Sequence, residues 1–473
     1  MSEVFRHGVA SGDPLPDRVM IWTRATTRAP ELVVAWRVAR DPELRDVVAE
    51  GQALAAGEHD HTVHVDVTGL DPESVYHYCF SVAGEKSPVG RARTLPVAPV
   101  GGLRFAMCSC AKYNAGYFNA YARIAARDDL DFLLHLGDYI YEASQTPPAS
   151  QTPSADIGRP FDPLTECRTL DEYRRRYSQY RRDPDVEALH RRLPIIATLD
   201  DHELADGAWV GGATEHKPEH GPWHARREAA FRARWEWLPA RRPAPEDPTR
   251  VYRSVKMGDL AELLLLDVRS RRDEPLAGPD MHADGRSMLG AEQRDWLHGK
   301  LEESDSAWRL VASPSILSTT WVQAPAEPLR TALLKLKLIH PEANDPDEDQ
   351  WDGYPGERAA LVNRMAAHED VVVLSGDIHI SLAGEVRESA PASDAVAVEF
   401  TTPSLTSQNL DEKLGLEARA PEIQTAEAAM TAALDHLEWC EFSSHGYVIV
   451  DVDQNRTRGE WWHVDNRARA LPA

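Results

Sequence analysis

Two stretches of the sequence place residues that could bind a metal ion directly after an apolar run. VVVLSGDIH ends in Asp377 and His379, and FLLHLGDYIYE carries Asp138 and Tyr141. In an extended chain, residues two apart face the same side, so Asp377 and His379 are expected to reach one metal ion together. The oxygens of Asp138 can bridge two cations, and a Tyr141 phenolate suits a ferric ion. The structural alternative is a capped strand end and a turn whose aromatic residues pack into the core.

A third stretch, TLDDHELADGAW, also contains the Asp-x-His spacing of VVVLSGDIH. The spacing alone is weak evidence, because it occurs three times, at Asp200 to His202, Asp280 to His282 and Asp377 to His379. The first and third copies follow apolar runs. The second copy lies in the glycine-containing stretch GPDMHADG, which predicts a loop.

Signatures of several other catalytic classes are missing from the sequence. It contains no G-x-S-x-G, no Walker A loop, no G-x-G-x-x-G and no H-E-x-x-H. Serine-hydrolase, P-loop and dinucleotide-binding interpretations therefore lose their main support. What remains is a set of Asp, His, Cys and Tyr residues at predicted strand ends, which indicates a metal site.

The elements that must position these residues divide into two parts. Residues 1–96 contain short β-branched and aromatic runs, such as ELVVAWRVAR and HTVHVDVTGL, which predict a β-sandwich of the fibronectin or immunoglobulin kind. Residues 97–473 begin with the linker-like TLPVAPVGG region and then alternate buried strands with helical stretches. The predicted fold class is α+β. Ligands bind beyond the carboxyl ends of strands in such sheets, so the polar strand ends are expected to converge.

Composition limits the partners of the chain. A formal charge of −24 disfavours binding to genomic DNA, because affinity for a phosphate backbone comes largely from Lys and Arg. A strongly acidic protein that handles phosphate would need metal ions. No apolar run is long enough to span a membrane, and no export signal opens the chain, so a cytoplasmic location is expected. A secreted or periplasmic protein trimmed of its signal is the alternative, and the oligomeric state is left open.

Several segments, in order along almost the whole chain, resemble the alkaline phosphatase D (PhoD-like) family of metallophosphoesterases. They are GVASGDPLPDRVMIWTR, CSCAKYNAGYFNAY, DFLLHLGDYIYE, LPIIATLDDHE, LLLLDVRSRRD, WDGYPGER, VVVLSGDIH and EFTTPSLTS. The resemblance implies an N-terminal β-sandwich followed by a four-layer α/β/β/α catalytic domain. It also implies a site that holds Fe³⁺ and Ca²⁺ and hydrolyses small phosphate esters.

Carried over position by position, the family motif implies particular roles. Cys110 and Tyr141 would bind iron, Asp138 would bridge the metals, and Asp377 and His379 would be further ligands. Asp201 would be a ligand and His202 the acid facing the leaving group, although Asp200 is not excluded as the ligand. Many relatives have Asn where this chain has Asp206, which is expected either to replace it at the second cation or to leave that site altered. Ala111 also stands where the family commonly has Gln.

The expected reaction is attack of a metal-bound hydroxide on phosphorus, in which cations stabilise the transition state. Arg269 is expected to clamp a phosphate oxygen or, equally, to pair with Asp267. Trp351 and Tyr354 are candidates for an apolar wall, with core packing as the default. The alternatives are a phosphodiesterase or phospholipase D-like activity, a noncatalytic metal-stabilised binding protein, and a redox role for Cys108 and Cys110.

Overall fold

The computed structural model describes residues 3–147, 154–244, 246–322, 324–339, 346, 348–388 and 394–469. The sequence predicts that the shape of two loops, 145–160 and 322–358, decides which substrate is hydrolysed, and both loops lie partly outside the described residues. None of the helices in the described part of the chain combines the length and the apolar composition that crossing a bilayer requires.

The N-terminal part of the chain is built from β-strands. They are β1 Val9–Leu15, β2 Arg18–Arg24, β3 Glu31–Ala39, β4 Val47–Ala56, β5 Thr62–Thr68, β6 Val75–Val82, β7 Glu85–Lys86 and β8 Gly90–Arg93. One five-stranded sheet has the order β4-β3-β6-β7, with β8 also paired to β6. A buried cluster fills the space between this sheet and β1, β2 and β5, and includes Val19, Val34 and Phe80.

The rest of the chain alternates strands and helices. The strands are β9 Leu103–Cys108, β10 Leu133–His135, β11 Pro194–Ala197, β12 Arg253–Met257, β13 Ala261–Leu265, β14 Trp308–Ala312, β15 Val371–Ser375, β16 Ser381–Val386, β17 Ala397–Thr401, β18 Leu437–Glu441, β19 Gly446–Val452 and β20 Thr457–His463. The helices are α1 Asn119–Ala125, α2 Leu170–Arg181, α3 Pro184–Arg192, α4 Trp223–Trp237, α5 Gly290–Glu303, α6 Leu329–Lys335, α7 Pro355–Met365, α8 Leu410–Leu414 and α9 Pro421–Ala433.

Two large sheets carry these strands. The first has eight strands in the order β20-β19-β9-β10-β11-β1-β2-β5, and the second has seven in the order β12-β13-β14-β15-β17-β16-β18. A buried apolar cluster joins the two sheets, with Phe105 and Leu134 from the first and Leu263 and Leu374 from the second. The fold is therefore mixed α/β with several sheets, as the alternating pattern predicts.

The first large sheet crosses the predicted domain boundary at residue 96. β1 pairs in parallel with β11, so that Ser11 lies opposite Pro194 and Gly12 opposite Ile195. β1 also pairs with β2, and β2 pairs with β5. Strands from both sides of the boundary thus share one hydrogen-bonded sheet, and the division of the chain into two domains stays a prediction.

Candidate metal centre

The residues singled out in the sequence lie where neighbouring strands end. Cys110 follows β9, Asp138 follows β10 and Asp201 follows β11, and β10 pairs in parallel with both β9 and β11. Asp377 and His379 follow β15 in the second large sheet. The carboxyl ends of strands in both sheets therefore bring together residues that are far apart in the sequence.

The backbone at these strand ends is unusual. Cys110, Asp138, Asp377 and His379 have φ angles of 61°, 54°, 67° and 60°, in the left-handed region. β15 ends at Ser375, so the prediction that Asp377 and His379 project from an extended chain is wrong, although both reach the same site. A left-handed backbone in residues other than glycine costs energy and is concentrated at functional sites.

Among the residues that the structure describes, three overlapping groups of side chains that could hold a metal ion share Asp138, and within each group the potential ligand atoms all lie within 4.8 Å of one another. The groups are Cys110, Asp138 and His379; Asp138, Asp201 and His202; and Asp138, Asp200, Asp201 and Asp377. The Tyr141 hydroxyl donates a hydrogen bond to Asp138 Oδ2 at 2.6 Å and lies 3.5 Å from His379 Nε2. Asp138 thus lies where the three groups of potential ligands overlap.

Burial and crowding of acids disfavour negative charge at this site in the absence of a cation. Burial raises the pKa of Asp138 well above its usual value, Asp201 adds to the effect, and His202 opposes it. Burial also raises the pKa of the Cys110 thiol and of the Tyr141 phenol, and the neighbouring Asp138 raises both further. A bound cation would stabilise the deprotonated groups and release their protons. The set of thiol, phenol, imidazole and carboxyl donors therefore fits a metal ion.

His202 is held by a carboxylate that sequence reasoning quoted but did not assign. His202 Nδ1 lies 2.7 Å from Glu142 Oε2, and the backbone N–H of Asp206 donates to Glu142 Oε1 at 2.7 Å. Burial alone would lower the pKa of His202, but nearby carboxylates, with Glu142 the largest, raise it well above its usual value. The contact with Glu142 therefore orients the imidazole and favours its protonated form.

Arg269 has partners other than those expected. Its side chain is fully buried and forms ion pairs with Asp200, Asp377 and Asp349, and its Nη2 lies 2.7 Å from Asp377 Oδ2. The Asp267 side chain accepts a hydrogen bond from the backbone N–H of Arg269, not from its guanidinium. The guanidinium is thus occupied in holding carboxylates of the site, which disfavours both the phosphate clamp and the side-chain pair with Asp267.

The two aspartates of the DDH sequence, Asp200 and Asp201, have different surroundings. Asp200 pairs with Arg269, whereas Asp201 lines a cavity of about 80 Å³ beside Asp138 and His202. Asp201 Oδ2 accepts a hydrogen bond from Gly207 N at 2.7 Å. Asp206 lines this cavity too. The geometry favours Asp201 over Asp200 as a metal ligand.

Other candidates from the sequence lie in the core. Trp351 and Tyr354 are buried and donate hydrogen bonds to Ser313 Oγ and the Asp273 carbonyl, so they form no wall of the described cavity. Ala111 is buried as well. All five cysteines are free thiols, and Cys108 packs in an apolar cluster, which gives the redox hypothesis no support.

Several residues that support the site were missed by sequence reasoning. Glu203 accepts hydrogen bonds from the backbone N–H groups of Asp138, Tyr139 and Asp200, which fixes two of the strand-end turns. The carbonyl of Gln408 accepts from His379 Nδ1 at 3.0 Å. Glu203 could have been found from the sequence, since it belongs to the DDHE segment. The role of Gln408 depends on a contact across the fold.

The arginine-rich helical stretch also contributes to the site. The sequence DEYRRRYSQYRRDPDVEALHRRL favours a solvated, ion-paired helix face, but Arg176 in α2 is fully buried and donates to the carbonyl of Tyr141. Tyr180, also in α2, accepts a hydrogen bond from the backbone N–H of Tyr141 at 3.2 Å. The helix thus fixes the position of the phenol.

Comparison with known protein families gives two matches along the chain. The family described as PhoD-like phosphatase matches residues 105–461, and its N-terminal domain matches residues 1–96. The chain is also 33% identical over 429 residues to alkaline phosphatase D of Bacillus subtilis strain 168, which covers 85% of this chain and 69% of that protein.

Solved structures agree with these matches. A structure of PhoD superimposes with a TM-score of 0.85 at 30% identity, over 97% of this chain and 86% of that chain. Purple acid phosphatase PPD1 from yellow lupin gives a TM-score of 0.55 at 10% identity, over 96% and 71% of the two chains. The second match shows a likeness of fold alone.

Proposed function

Because the chain belongs to the PhoD-like phosphatase family and is a metal-dependent phosphoesterase, we propose that the side chains gathered around Asp138 form its metal centre. The observation that carries the proposal is the set of overlapping donor groups centred on Asp138. Cys110 and Tyr141 would hold Fe³⁺, because thiolate and phenolate suit a ferric ion. The oxygen donors Asp201 and Asp206 would face Ca²⁺.

The roles of the remaining residues follow from their contacts. Asp377 and His379 would complete the ligand set on the side of β15, and Arg269, which also pairs with Asp200, would hold the Asp377 carboxylate in place. When bound, the cations would polarise phosphoryl oxygens and acidify a water molecule. His202, protonated and held by Glu142, would donate a proton to the leaving oxygen.

The substrate is a phosphate ester, and we propose a phosphodiester as the alternative to a phosphomonoester. The same two-metal chemistry serves both substrates, and the loops that would select between them lie partly outside the described residues. We further propose that residues 1–96 form a β-sandwich domain and residues 97–473 a four-layer α/β/β/α domain. The apolar clusters between the sheets and beneath the helices support this arrangement.

The test combines metal analysis, a visible absorption spectrum and an assay on a chromogenic phosphomonoester and its diester analogue. We expect iron in the native protein, together with a phenolate-to-iron band that disappears in Tyr141→Phe. Tyr139→Phe is the matched control, because the Tyr139 hydroxyl contacts His190 in the core and its loss should leave the band unchanged. A native protein without iron would overturn the assignment of Cys110 and Tyr141.

A further inference from the structure

Three lysines that have no role in metal binding lie beside the proposed metal centre. Lys337 and Lys413 line the same cavity as Asp206 and His202. The ammonium group of Lys112 lies 5.8 Å from the centre of the Tyr141 ring. These lysines come from separate segments of the chain: the end of α6, the helix α8 and the turn after Cys110. The fold therefore collects positive charge at one side of the site.

Lys337 occupies a position where glycine would be favoured. It follows α6 with a left-handed φ of 57°, and Leu338 N donates to the Leu333 carbonyl at 2.9 Å across the helix end. A residue other than glycine in this conformation costs about 1 kcal/mol. The conformation places the Lys337 ammonium 3.9 Å from Asp206 Oδ1, at the cavity. Strain of this kind at a cavity wall indicates a role for the side chain.

Lys413 and Lys112 extend the positive charge into the protein. Burial, together with the like charges of Lys337 and Lys112, lowers the pKa of Lys413 to about 8, whereas Asp377 opposes the shift. Burial also lowers the pKa of Lys112, whereas the acids Asp206 and Glu142 raise it. The three ammonium groups are thus close enough to repel one another, and the nearby carboxylates offset that repulsion.

Metal binding changes this balance. The carboxylates that now face the lysines would then also neutralise the bound cations. They would therefore offset less of the positive charge of the three ammonium groups. An anion next to the metal-bound phosphate would restore the balance. An ammonium group with three donors is suited to an anion whose orientation varies.

We propose that Lys112, Lys337 and Lys413 form an anion subsite that holds a second negatively charged group of the substrate, carried by its leaving group. This inference rests on the proposed function, because the scissile phosphate defines the neighbouring position. Lys112 and Lys337 both interact with Asp206, whose backbone is bonded to the carboxylate that holds His202. The subsite therefore lies on the side of the proton donor, where the leaving group departs. Esters whose leaving group carries a further phosphate are the preferred substrate class.

The first measurement uses binding and needs no turnover. Titration calorimetry of the metal-loaded full chain compares propane-1,3-diphosphonate with propylphosphonate, which lacks the second anion. We expect the diphosphonate to bind about tenfold more tightly, and we expect this ratio to fall towards one in Lys337→Gln and in Lys413→Gln. Lys335→Gln is the matched control, because Lys335 is an exposed residue of α6 that does not line the cavity.

The second measurement compares hydrolysis of a dinucleoside monophosphate with and without a terminal phosphate. We expect kcat/KM to be about tenfold higher with the terminal phosphate and the preference to be lost in Lys337→Gln but kept in Lys335→Gln. If neither compound is hydrolysed but the lysine-dependent preference for diphosphonate is present, the proposed reaction fails and the subsite stands. The subsite would be overturned if the native protein bound the diphosphonate no more tightly than propylphosphonate. It would also be overturned if the lysine variants kept the native ratio of the two affinities.

Discussion

Glu142 is the residue on which the proton-donating role of His202 depends. Its two oxygens accept hydrogen bonds from His202 Nδ1 and from the Asp206 backbone N–H. The side chain at this position must therefore offer two acceptors and no donor. Burial would raise the pKa of Glu142, but His202, the largest opposing influence, lowers it to about 2. The carboxylate therefore stays charged and holds the imidazole as a protonated donor.

Glu142→Gln is expected to impair proton donation more than metal binding. The glutamine NH₂ must face either the Asp206 N–H or the His202 Nδ1–H, so one donor loses its acceptor. We expect kcat to fall about 10- to 100-fold on an alkyl phosphate ester, whose leaving oxygen needs a proton. On a nitrophenyl ester, which leaves without one, the loss should be only about threefold. Equal losses on both esters, or a loss of metal in the same preparation, would contradict this role.

At the scale of single residues, the sequence predicted types of side chain better than their partners. Asp138, Asp377 and His379 stand out in the sequence because each follows an apolar run. In the structure these three residues do come together. The partners of Arg269 could not be predicted, since Asp200, Asp349 and Asp377 come from three separate segments. The left-handed backbone at these positions was also not predicted, because aspartate and histidine adopt it only occasionally.

At the scale of elements, the ends of β10 and β11 approach each other closely at Gly137. Its φ is 110°, and a Cβ atom built there would lie 2.4 Å from the backbone nitrogen of Asp200. The close approach places Asp138 beside Asp200 and Asp201. Only glycine permits both this backbone conformation and this distance.

Gly137→Ala is expected to destabilise the protein by at least about 3 kcal/mol, because both the backbone conformation and the clash with a backbone atom are unfavourable. Urea unfolding followed by circular dichroism measures the change. Gly299→Ala is the matched control: it lies within α5 with no atom close to the added Cβ, and it should stabilise the chain by about 0.5–1 kcal/mol. A Gly137→Ala protein as stable as the native one would refute the close approach of the strands.

The elements themselves were largely predictable where local patterns decide them. The sequence predicts that the arginine-rich helical stretch breaks near Pro184, and the structure confirms the break: α2 ends at Arg181, and α3 begins at Pro184 with Asp183 as its N-cap. The pairing of β1 with β11 was not predictable, because it joins strands separated by almost two hundred residues and no local pattern encodes such a register. Such a pairing depends on packing between segments that are distant in the sequence.

At the scale of the whole molecule, the N-terminal segment is joined to the rest of the chain through polar contacts that are wholly or partly buried. His64 Nε2 donates to the Leu238 carbonyl at 3.0 Å, just after α4. His7 lies 2.9 Å from Ser178 Oγ in α2 and contacts the Trp237 ring edge to face. Arg253 pairs with Asp13 at 2.6 Å. The residues before and after position 96 are therefore expected to unfold together.

Acid is expected to weaken this junction through His64. Burial lowers the pKa of His64 to about 4, whereas the unfolded chain has the ordinary value of 6.5. Between pH 6.5 and pH 4 the unfolded state binds a proton that the folded state does not, so stability falls as the pH decreases through this range. The contribution at pH 5 is about 1–2 kcal/mol.

His64→Gln tests this contribution, because glutamine can still donate to the Leu238 carbonyl but does not titrate. Between pH 7.5 and pH 5, the free energy of unfolding measured with urea should fall by about 1–2 kcal/mol less in the variant than in the native protein. His282→Gln, which replaces an exposed histidine in the Gly278–His282 turn, should keep the native pH dependence. If His64→Gln and the native protein lose the same stability, His64 is not a neutral buried donor. If instead the N-terminal strands unfold in a separate transition at acid pH, the shared sheet does not make the two parts cooperative.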